Sequence, residues 1–310
     1  MKIIRSINKI NLPKQIALTI GNFDGLHLGH LEIIQKVKKI AKEKNIASAI
    51  LTFEPHPLEF LRPEKNKDFR IGNLAQKLKN LIAENLDYII ILPFNEKLAS
   101  LDASSFIDDI LVKNLKVKDL IIGYDFVFGK NREGSFKLLE EKSKKLNFNL
   151  HEIPAIKNQD YTCSSTIIRS LILQGKIKEA NQILGRNFSI SSRVVNGKKL
   201  AKQIGFPTAN LKVNPYIIKP KFGVYKTSTY IPFLKQKFSS ITNFGIRPTV
   251  ENNDQNPIFE THILNFNQEI YGKKIIVEFL DFIREEKKFD SIDDLKRQIT
   301  ADVLGKIFKI

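Results

Sequence analysis

Short apolar segments alternate with amphipathic segments through the first half of the chain. The apolar segments have the length of strands and lie at 16–20, 47–53, 88–92, 120–123 and 148–153. Between them, apolar residues recur at helical spacing, first at 33–41, then at 74–82 and again at 106–111. This alternation is typical of a parallel sheet covered by helices, which binds ligands beyond the carboxyl ends of its strands. The pattern predicts an α/β domain whose site lies in the loops after the strands.

The pattern changes after Gly185. Helical segments at 165–173 and 177–184 close the first part, and strand-like segments follow at 188–195, 223–230, 238–243, 259–264 and 275–283. Closely spaced strands with turn residues between them favour a small antiparallel β-barrel. The chain ends in helical spacing over 291–307, where Ser291 and Asp294 predict a capping box. We therefore expect two domains, 1–180 and 185–310.

Composition excludes several classes of protein. The chain has 310 residues, of which 42% are hydrophobic and 27% charged, as in globular proteins. It has one cysteine, Cys163, and no apolar run near the roughly 20 residues that span a bilayer. We expect a cytoplasmic protein that does not bind membranes. The net charge of +17 favours anionic partners, but the lysines are spread along the chain, so we do not expect nucleic-acid binding. Self-association stays open.

A glycine-rich segment with two histidines follows the first predicted strand and opens the first long helix. It reads GNFDGLHLGH at 21–30. Glycines let the backbone approach a ligand closely, and a helix N-terminus offers N–H groups to phosphate. His27 and His30 bracket Gly29, so both imidazoles can face one phosphate and donate hydrogen bonds to it. The alternative is helix capping plus chance; neither the Gly-x-Gly-x-x-Gly fingerprint nor a Walker pattern is present.

A second unusual segment, GFPTAN, lies at 205–210. Pro207 lacks an N–H and interrupts any strand ladder. Thr208 and Asn210 place oxygen atoms on one side of an extended stretch, and oxygen is the ligand that Mg²⁺ prefers. From these residues alone, an ordinary loop remains the alternative.

These segments resemble the bacterial bifunctional riboflavin kinase/FAD synthetases. His-x-Gly-His is similar to the motif of the nucleotidyltransferase superfamily, and the fuller string at 21–30 resembles the bifunctional family. Further matching strings follow in order: TFEPHP at 52–57, IGYDFVFGKNREG at 122–134, CSSTIIR at 163–169, GRNFSISSRV at 185–194, PKFGVY at 220–225, TNFGIRPTV at 242–250 and FETHIL at 259–264. The resemblance implies a Rossmann-like nucleotidyltransferase domain that adenylylates FMN to FAD and a barrel that phosphorylates riboflavin. Its ligands would be riboflavin, FMN, ATP and Mg²⁺.

In the first domain the resemblance implies that His27, His30 and Arg169 are catalytic. It places ATP on Gly21, Asn22, Phe23, Asp24, Gly25, Gly29, Ser164, Ser165 and Thr166. It places His56, Asp125 and Arg132 in loops near the nucleotide and the flavin. Structural alternatives stay open: Ser165 as a helix N-cap, Asp125 as a turn former and His56 as part of a rigid turn.

In the second domain the resemblance implies that Gly205, Phe206 and Pro207 contact the nucleotide and that Thr208 and Asn210 meet its metal. Glu260 would be the general base for the riboflavin 5′-hydroxyl. His262 is expected to pack or to hydrogen-bond locally.

The sequence also departs from the family pattern. Asn196, Ala201 and Lys202 replace the usual His, Gly and Arg, and segment 70–77 lacks the usual small hydroxyl residues. Lysine keeps the charge of arginine but loses its fork, so we expect weaker closure of the kinase loop over the nucleotide. A decayed kinase domain and a nucleotidyltransferase with a different acceptor are the alternatives.

Overall fold

The computed structural model describes residues 1–6, 12, 14–63, 68–158, 160–197, 206–246, 257–287, 289 and 291–307. The chain divides into two compact units. The first contains residues 1–67 and 73–165, and the second contains 68–72 and 166–310. Three positions singled out above, Ala201, Lys202 and Gly205, lie outside the described residues. Among the described residues, no helix combines the length and the apolar character needed to cross a membrane.

The first unit is built on a parallel sheet of six strands, which confirms the predicted α/β class. Its strands are β1 (Lys2–Ile4), β2 (Ile16–Ile20), β3 (Ala47–Glu54), β4 (Tyr88–Pro93), β5 (Val117–Gly123) and β6 (Asn149–Ile153). Their spatial order is β1-β4-β3-β2-β5-β6, and every neighbouring pair is parallel. The strand order reverses between β2 and β5, and sheets of this class bind ligands beyond the carboxyl ends of the strands at such a reversal.

Helices cover both faces of this sheet. They are α1 (Leu28–Lys44), α2 (Pro57–Leu61), α3 (Leu74–Ala83), α4 (Glu96–Ala99), α5 (Ala103–Ser105) and α6 (Phe136–Leu146). Successive residues of β2 point to opposite faces: Ala17 packs with Ile34 and Val37 of α1, whereas Leu18 lies in the core that contains Leu139 of α6. The segment predicted as a helix at 106–111 is a π-helix, Phe106–Asn114, that continues α5. A small hairpin follows the sheet, β7 (Lys157–Asn158) with β8 (Tyr161–Thr162).

The second unit contains the predicted barrel. Its strands are β9 (Ser189–Val195), β10 (Thr208–Leu211), β11 (Gly223–Ile231), β12 (Gln236–Ile246), β13 (Pro257–Ile263) and β14 (Lys274–Arg284). They close in the order β10-β13-β12-β11-β14-β9, and all neighbours are antiparallel. Closure leaves no edge strand to pair with other chains. The fold class predicted for both parts of the chain is confirmed.

The interior of the barrel is part aromatic and part polar. Tyr225, Phe244, Phe259 and Phe279 are buried in it. Beside them, hydroxyl groups form a continuous chain of hydrogen bonds of 2.8–3.0 Å across three strands, in the order Thr229, Ser240, Thr227, Thr242 and Thr261. Because each buried hydroxyl has a partner, this polar core avoids the desolvation cost of an unmet hydrogen bond.

Helices at both ends of the second unit pack on the barrel. Helix α7 (Ser165–Leu173) leads into α8 (Ile177–Leu184), and Asn181 of α8 donates to the Phe279 carbonyl at 2.8 Å and accepts from the Phe188 N–H at 2.7 Å. The last helix is α9 (Ile292–Ile307), and Ser291 Oγ accepts from the Asp294 N–H at 3.1 Å, so Ser291 is its N-cap. The Asp294 carboxylate accepts from the Ser291 hydroxyl at 2.6 Å, which differs from the backbone bond of the predicted capping box. The second compact unit thus includes residues 68–72 and the chain from Thr166 onward, whereas the sequence predicts a domain over 185–310.

Candidate active site

The loop between β2 and α1 is tightly wound and starts at the carboxyl end of β2, where the strand order reverses. Phe23, Gly25 and Leu26 all have positive φ. Gly25 meets this geometry without a steric cost, whereas the two other residues are held by their buried side chains. The Phe23 ring closes against Gly21, because a Cβ there would lie 3.1 Å from ring atoms. The Phe23 and Leu26 side chains of the loop therefore lie in the core.

The two histidines of this loop stack on each other at the start of α1. Their ring centroids are 3.6 Å apart with an interplanar angle of 20°. His27 is the N-cap of α1, and its Nδ1 accepts from the His30 N–H at 3.4 Å. A neutral imidazole that accepts at Nδ1 carries its proton at Nε2, so His27 can donate from that atom. Two stacked imidazoles at a helix N-terminus can both donate hydrogen bonds to one anionic group.

Neighbouring segments hold this loop through its main-chain carbonyls. The hydroxyl of Ser165, the first residue of α7, donates to the Asp24 carbonyl at 2.7 Å, and that of Thr52 donates to the Asn22 carbonyl at 3.3 Å. The Asp24 side chain is buried, and that of Asn22 is exposed. The Ser165 hydroxyl thus connects the CSSTIIR and GNFDGLHLGH segments, a contact that the sequence did not predict.

Cys163 packs against Gly29 in the first turn of α1. A Cβ at Gly29 would lie 3.2 Å from the Cys163 carbonyl oxygen and 3.2 Å from His27 Nδ1. Burial raises the pKa of the Cys163 thiol, and a hydrogen bond from the Gly29 backbone opposes this rise. A larger residue at Gly29 would push apart the Cys163 backbone and the His27 ring, which its side chain would contact.

The loop after β5 carries Asp125 and Arg132, and both side chains are exposed. Tyr124 N–H donates to the Ile153 carbonyl at 3.1 Å, which fixes the start of the loop to β6. Glu133 accepts from the Ala103 N–H at 2.9 Å and so fixes its far end to α5. Because β2 and β5 are adjacent, the loop starts at the same edge of the sheet as the histidines.

His56 has a structural role. It is the N-cap of α2: Nδ1 accepts from the Leu58 N–H at 3.2 Å, and its own N–H donates to Glu59 at 3.0 Å. These reciprocal bonds form a capping box. The imidazole is buried, so the geometry favours the turn interpretation of His56.

Helix α7 carries the remaining residues predicted around the triphosphate. Ser164 precedes its first residue, Thr166 is exposed, and Arg169 is half-buried. Ser165 and Arg169 are four residues apart and share one face of the helix. Arg169 Nε donates to the Phe69 carbonyl at 2.7 Å.

On the barrel, the predicted kinase residues form a row across three strands. Asn210 of β10 is paired in register with Glu260 of β13, which is paired with Asn243 of β12. Residues directly opposite on antiparallel strands point to the same face, so these three side chains are neighbours. Thr208 lies two residues before Asn210 on the same side of β10. Their hydroxyl and amide oxygens are the donors that a hard cation takes, so the chemistry of this pair fits Mg²⁺.

Phe206 and Pro207 of the GFPTAN segment contact His262 of β13 beside this row. His262 Nδ1 donates to the Pro207 carbonyl at 2.8 Å, and its ring meets Phe206 edge-on, with centroids 5.4 Å apart. The local role predicted for His262 is confirmed. A Cβ at Gly197 would overlap the Asn210 side chain, so Gly197 is required where the chain passes that residue.

Sequence reasoning did not single out Asn243 and Glu286. Asn243 Nδ2 donates to Glu286 Oε1 at 3.3 Å, which places a second carboxylate next to the row. Asn243 could have been found from its place in the matching string at 242–250. No feature of the sequence pointed to Glu286, because its proximity to Asn243 depends on how the barrel strands pair.

Known proteins are similar to this chain over its whole length. A family model described as FAD synthetase matches residues 9–167, and one described as riboflavin kinase matches 184–305. A protein of Buchnera aphidicola subsp. Schizaphis graminum, named bifunctional riboflavin kinase/FMN adenylyltransferase, is 40% identical over 98% of this chain and 97% of its own length. A protein of the same name from Escherichia coli K12 is 36% identical over 98% of this chain and 96% of its own.

A solved structure is similar throughout as well. The crystal structure of a protein described as a macrolide-efflux protein from Streptococcus pneumoniae has a TM-score of 0.86 and 30% identity, and the match covers 98% of this chain and 99% of that one. Both the barrel and the parallel sheet are therefore found together in a solved structure.

Proposed function

The chain belongs to the family of bifunctional riboflavin kinases/FMN adenylyltransferases, and we propose that its two sites make FAD from riboflavin in succession, each with one ATP. The barrel phosphorylates riboflavin to FMN. The α/β unit adenylylates FMN to FAD and releases pyrophosphate. The stacked His27–His30 pair at the strand-order reversal is the observation that carries the adenylylation assignment.

In the adenylylation step, a phosphate oxygen of FMN attacks the α-phosphorus of ATP. The bond from the α-phosphorus to the bridging oxygen of the β-phosphate breaks, and pyrophosphate leaves. His27 and His30 donate hydrogen bonds to phosphate oxygens as charge develops, and one such donor commonly contributes about 3–4 kcal/mol. Backbone groups of Gly21 to Gly25 and Gly29 line the triphosphate, and Ser164, Ser165, Thr166 and Arg169 stabilise the departing pyrophosphate. Asp125 and Arg132 lie in the loop that meets the nucleotide and the flavin.

In the phosphorylation step, the riboflavin 5′-hydroxyl oxygen attacks the γ-phosphorus of ATP, and ADP leaves. Glu260 accepts the hydroxyl proton. Thr208 and Asn210 would hold Mg²⁺, which when bound neutralises charge on the nucleotide phosphates. Gly205, Phe206 and Pro207 line the nucleotide. Asn243 is paired in register with Glu260 and donates to Glu286, so we place both residues beside the bound alcohol.

The decisive experiment separates the products of riboflavin and Mg-ATP by chromatography. We expect FMN first and FAD later. If neither forms, a different acceptor is favoured; if FAD forms from supplied FMN but FMN does not form from riboflavin, the kinase domain has decayed, as the departures at Asn196, Ala201 and Lys202 would allow.

Two variants test the division of labour. His30→Ala should abolish FAD formation and leave FMN formation intact. Glu260→Ala should abolish FMN formation and leave conversion of supplied FMN to FAD intact, while Glu269→Ala, at an exposed glutamate of the same unit, should change neither. Equal damage to both activities by both active-site variants would contradict the assignment.

Three further proposals concern conditions and partners. Removal of Mg²⁺ by a chelator should stop FMN formation, and added Mg²⁺ should restore it. Retention of the protein on immobilised nucleic acid at physiological salt would contradict the proposal that it has no nucleic-acid partner. Cytoplasmic location remains a prediction that cell fractionation can test, and light scattering decides whether the chain self-associates.

A further inference from the structure

The guanidinium group of Arg169 makes two contacts with Phe69. Its Nε donates to the Phe69 carbonyl at 2.7 Å, and its central carbon lies 5.5 Å from the centroid of the Phe69 ring. The hydrogen bond fixes the rotation of the planar group about its last side-chain bond, and the ring restricts its tilt. A planar fork matches phosphate oxygens in a limited set of orientations, so these contacts select the orientation that Arg169 can offer.

Phe69 is itself held rigidly. Its side chain is 8% exposed. Segment 68–70 runs against segment 215–218 like a short strand, with an isolated bridge between Arg70 and Ile217. The main-chain hydrogen bonds are Asp68 N–H to Pro215 O at 3.0 Å, Phe69 N–H to Tyr216 O at 3.1 Å, Arg70 N–H to Tyr216 O at 2.8 Å and Ile218 N–H to Arg70 O at 2.8 Å. The Asp68 carboxylate also pairs with Lys219. The carbonyl that receives Arg169 therefore has a fixed position.

We propose that Phe69 is a positioning residue for adenylyl transfer, acting through the orientation of Arg169. This inference rests on the proposed role of Arg169 at the departing pyrophosphate. Segment 215–218, which holds Phe69, lies between β10 and β11, within the part of the sequence that the riboflavin kinase model matches. Formation of FAD then depends on segment 215–218 from the kinase half of the chain.

Loss of a buried ring also lowers stability, so the test needs a readout that packing alone would not change. Residues 68–72 and the barrel belong to the same compact unit, and riboflavin phosphorylation therefore reports whether that unit is intact. A double-mutant cycle with Arg169 reports whether Phe69 acts through it, because the effects of two substitutions that act through the same group do not add.

The experiment measures kcat for FAD formation from FMN and ATP, and for riboflavin phosphorylation, on the same full-length preparations. We expect Phe69→Leu to lower kcat for FAD formation between roughly 10- and 100-fold, as for a misplaced reacting group, with phosphorylation unchanged. Phe69→Tyr keeps the ring and should stay near wild type. With Arg169→Lys already present, Phe69→Leu should have less than about a 2-fold further effect. If Phe69→Leu does not fold, the double-mutant cycle is repeated with Phe69→Met, whose flexible side chain fills the same space.

Phe233→Leu is the matched control, since Lys273 Nζ lies 5.7 Å from the centroid of the Phe233 ring in the same unit. It should leave FAD formation unchanged. Multiplicative effects of the Phe69 and Arg169 changes, or equal loss of both activities, would overturn the inference while leaving the proposed function standing. A wild-type protein that forms no FAD from FMN would instead overturn the proposed function, and the inference with it.

Discussion

His27 has two roles at one position, as helix cap and as proposed phosphate ligand. His27→Asn keeps an acceptor for the first turn of α1 but removes the imidazole. We expect stability to change by less than about 0.5 kcal/mol, and FAD formation to fall roughly 100- to 1,000-fold, as for loss of one transition-state donor. His27→Ala should lose the same activity and about 1 kcal/mol of stability in addition. Urea denaturation and the rate of pyrophosphate release measure the two quantities.

The matched control for His27 is another helix cap of the first unit. Asn95 caps α4 through a 3.1 Å bond from the Leu98 N–H. Asn95→Ala should lower stability by about 1 kcal/mol without lowering the rate of FAD formation. If His27→Asn retained full activity, His27 would be a cap alone.

At the scale of elements, α9 is joined to β14 by one buried ion pair. Arg284 donates to Asp302 from Nε at 3.0 and 3.1 Å and from Nη2 at 2.8 Å. Asp302 is 6% exposed, so its removal leaves an uncompensated guanidinium. We expect Asp302→Ala to lower the free energy of unfolding by about 3–5 kcal/mol.

The joint replacement Arg284→Met with Asp302→Leu should be much milder than Asp302→Ala, because no unpaired charge remains. Asp294→Ala, at a half-buried carboxylate in the first turn of α9, should cost only about 1 kcal/mol. A cost for Asp302→Ala no larger than that of Asp294→Ala would show that the pair does not hold the helix. Thermal and urea denaturation of the purified variants measure these differences.

A buried carboxylate links α1 to β5 and β6 in the first unit. Lys44 Nζ and His151 Nε2 both donate to Asp119 Oδ1, at 2.6 and 2.9 Å. Burial raises the pKa of Asp119, but these hydrogen bonds and the charge of Lys44 outweigh burial, so the pKa lies below its ordinary value of 3.8. A depressed carboxyl pKa stabilises the fold above the ordinary value, and this stability is lost as pH falls through the folded-state pKa.

Asp119→Asn should therefore destabilise the first unit at neutral pH by about 1–3 kcal/mol, and the difference from wild type should shrink as pH falls below about 4. Urea denaturation across this pH range measures the difference. Asp109→Asn, at an exposed carboxylate of the same unit, is the control. A difference that stays constant down to acid pH would contradict the assigned pKa shift.

The predicted elements that proved correct are those whose signal is local. The pattern placed a strand at 16–20 and the structure has the same bounds, because a short segment of four apolar residues and Thr19, all buried, fits a central strand covered on both faces. Strand β1 was missed because its three residues are largely exposed and are recognisable only by pairing with β4. The π-helix at 106–114 was taken for an α-helix, since both bury an apolar face.

The candidate sites show the same difference between local signals and contacts distant in sequence. The two imidazoles could be predicted to lie together because they are three positions apart at a helix start. The row of Asn210, Glu260 and Asn243 depends on the register of three strands, and the place of Phe69 under Arg169 depends on a contact across a hundred residues of chain. Such contacts are set by tertiary packing, which residue spacing does not encode.

At the scale of the whole molecule, two reactions on separate sites imply that two damaged proteins can complement each other. His30→Ala lacks adenylylation and Glu260→Ala lacks phosphorylation, so neither alone should convert riboflavin to FAD. An equimolar mixture should make FAD after a lag, because FMN released by the first variant must accumulate before the second can use it.

Dilution of the mixture should lengthen the lag, whereas dilution of wild type should lengthen it less if FMN passes directly between sites. Chromatography of timed samples measures both, and a mixture that formed FMN but no FAD, although Glu260→Ala converts supplied FMN, would show that FMN is not released between the steps.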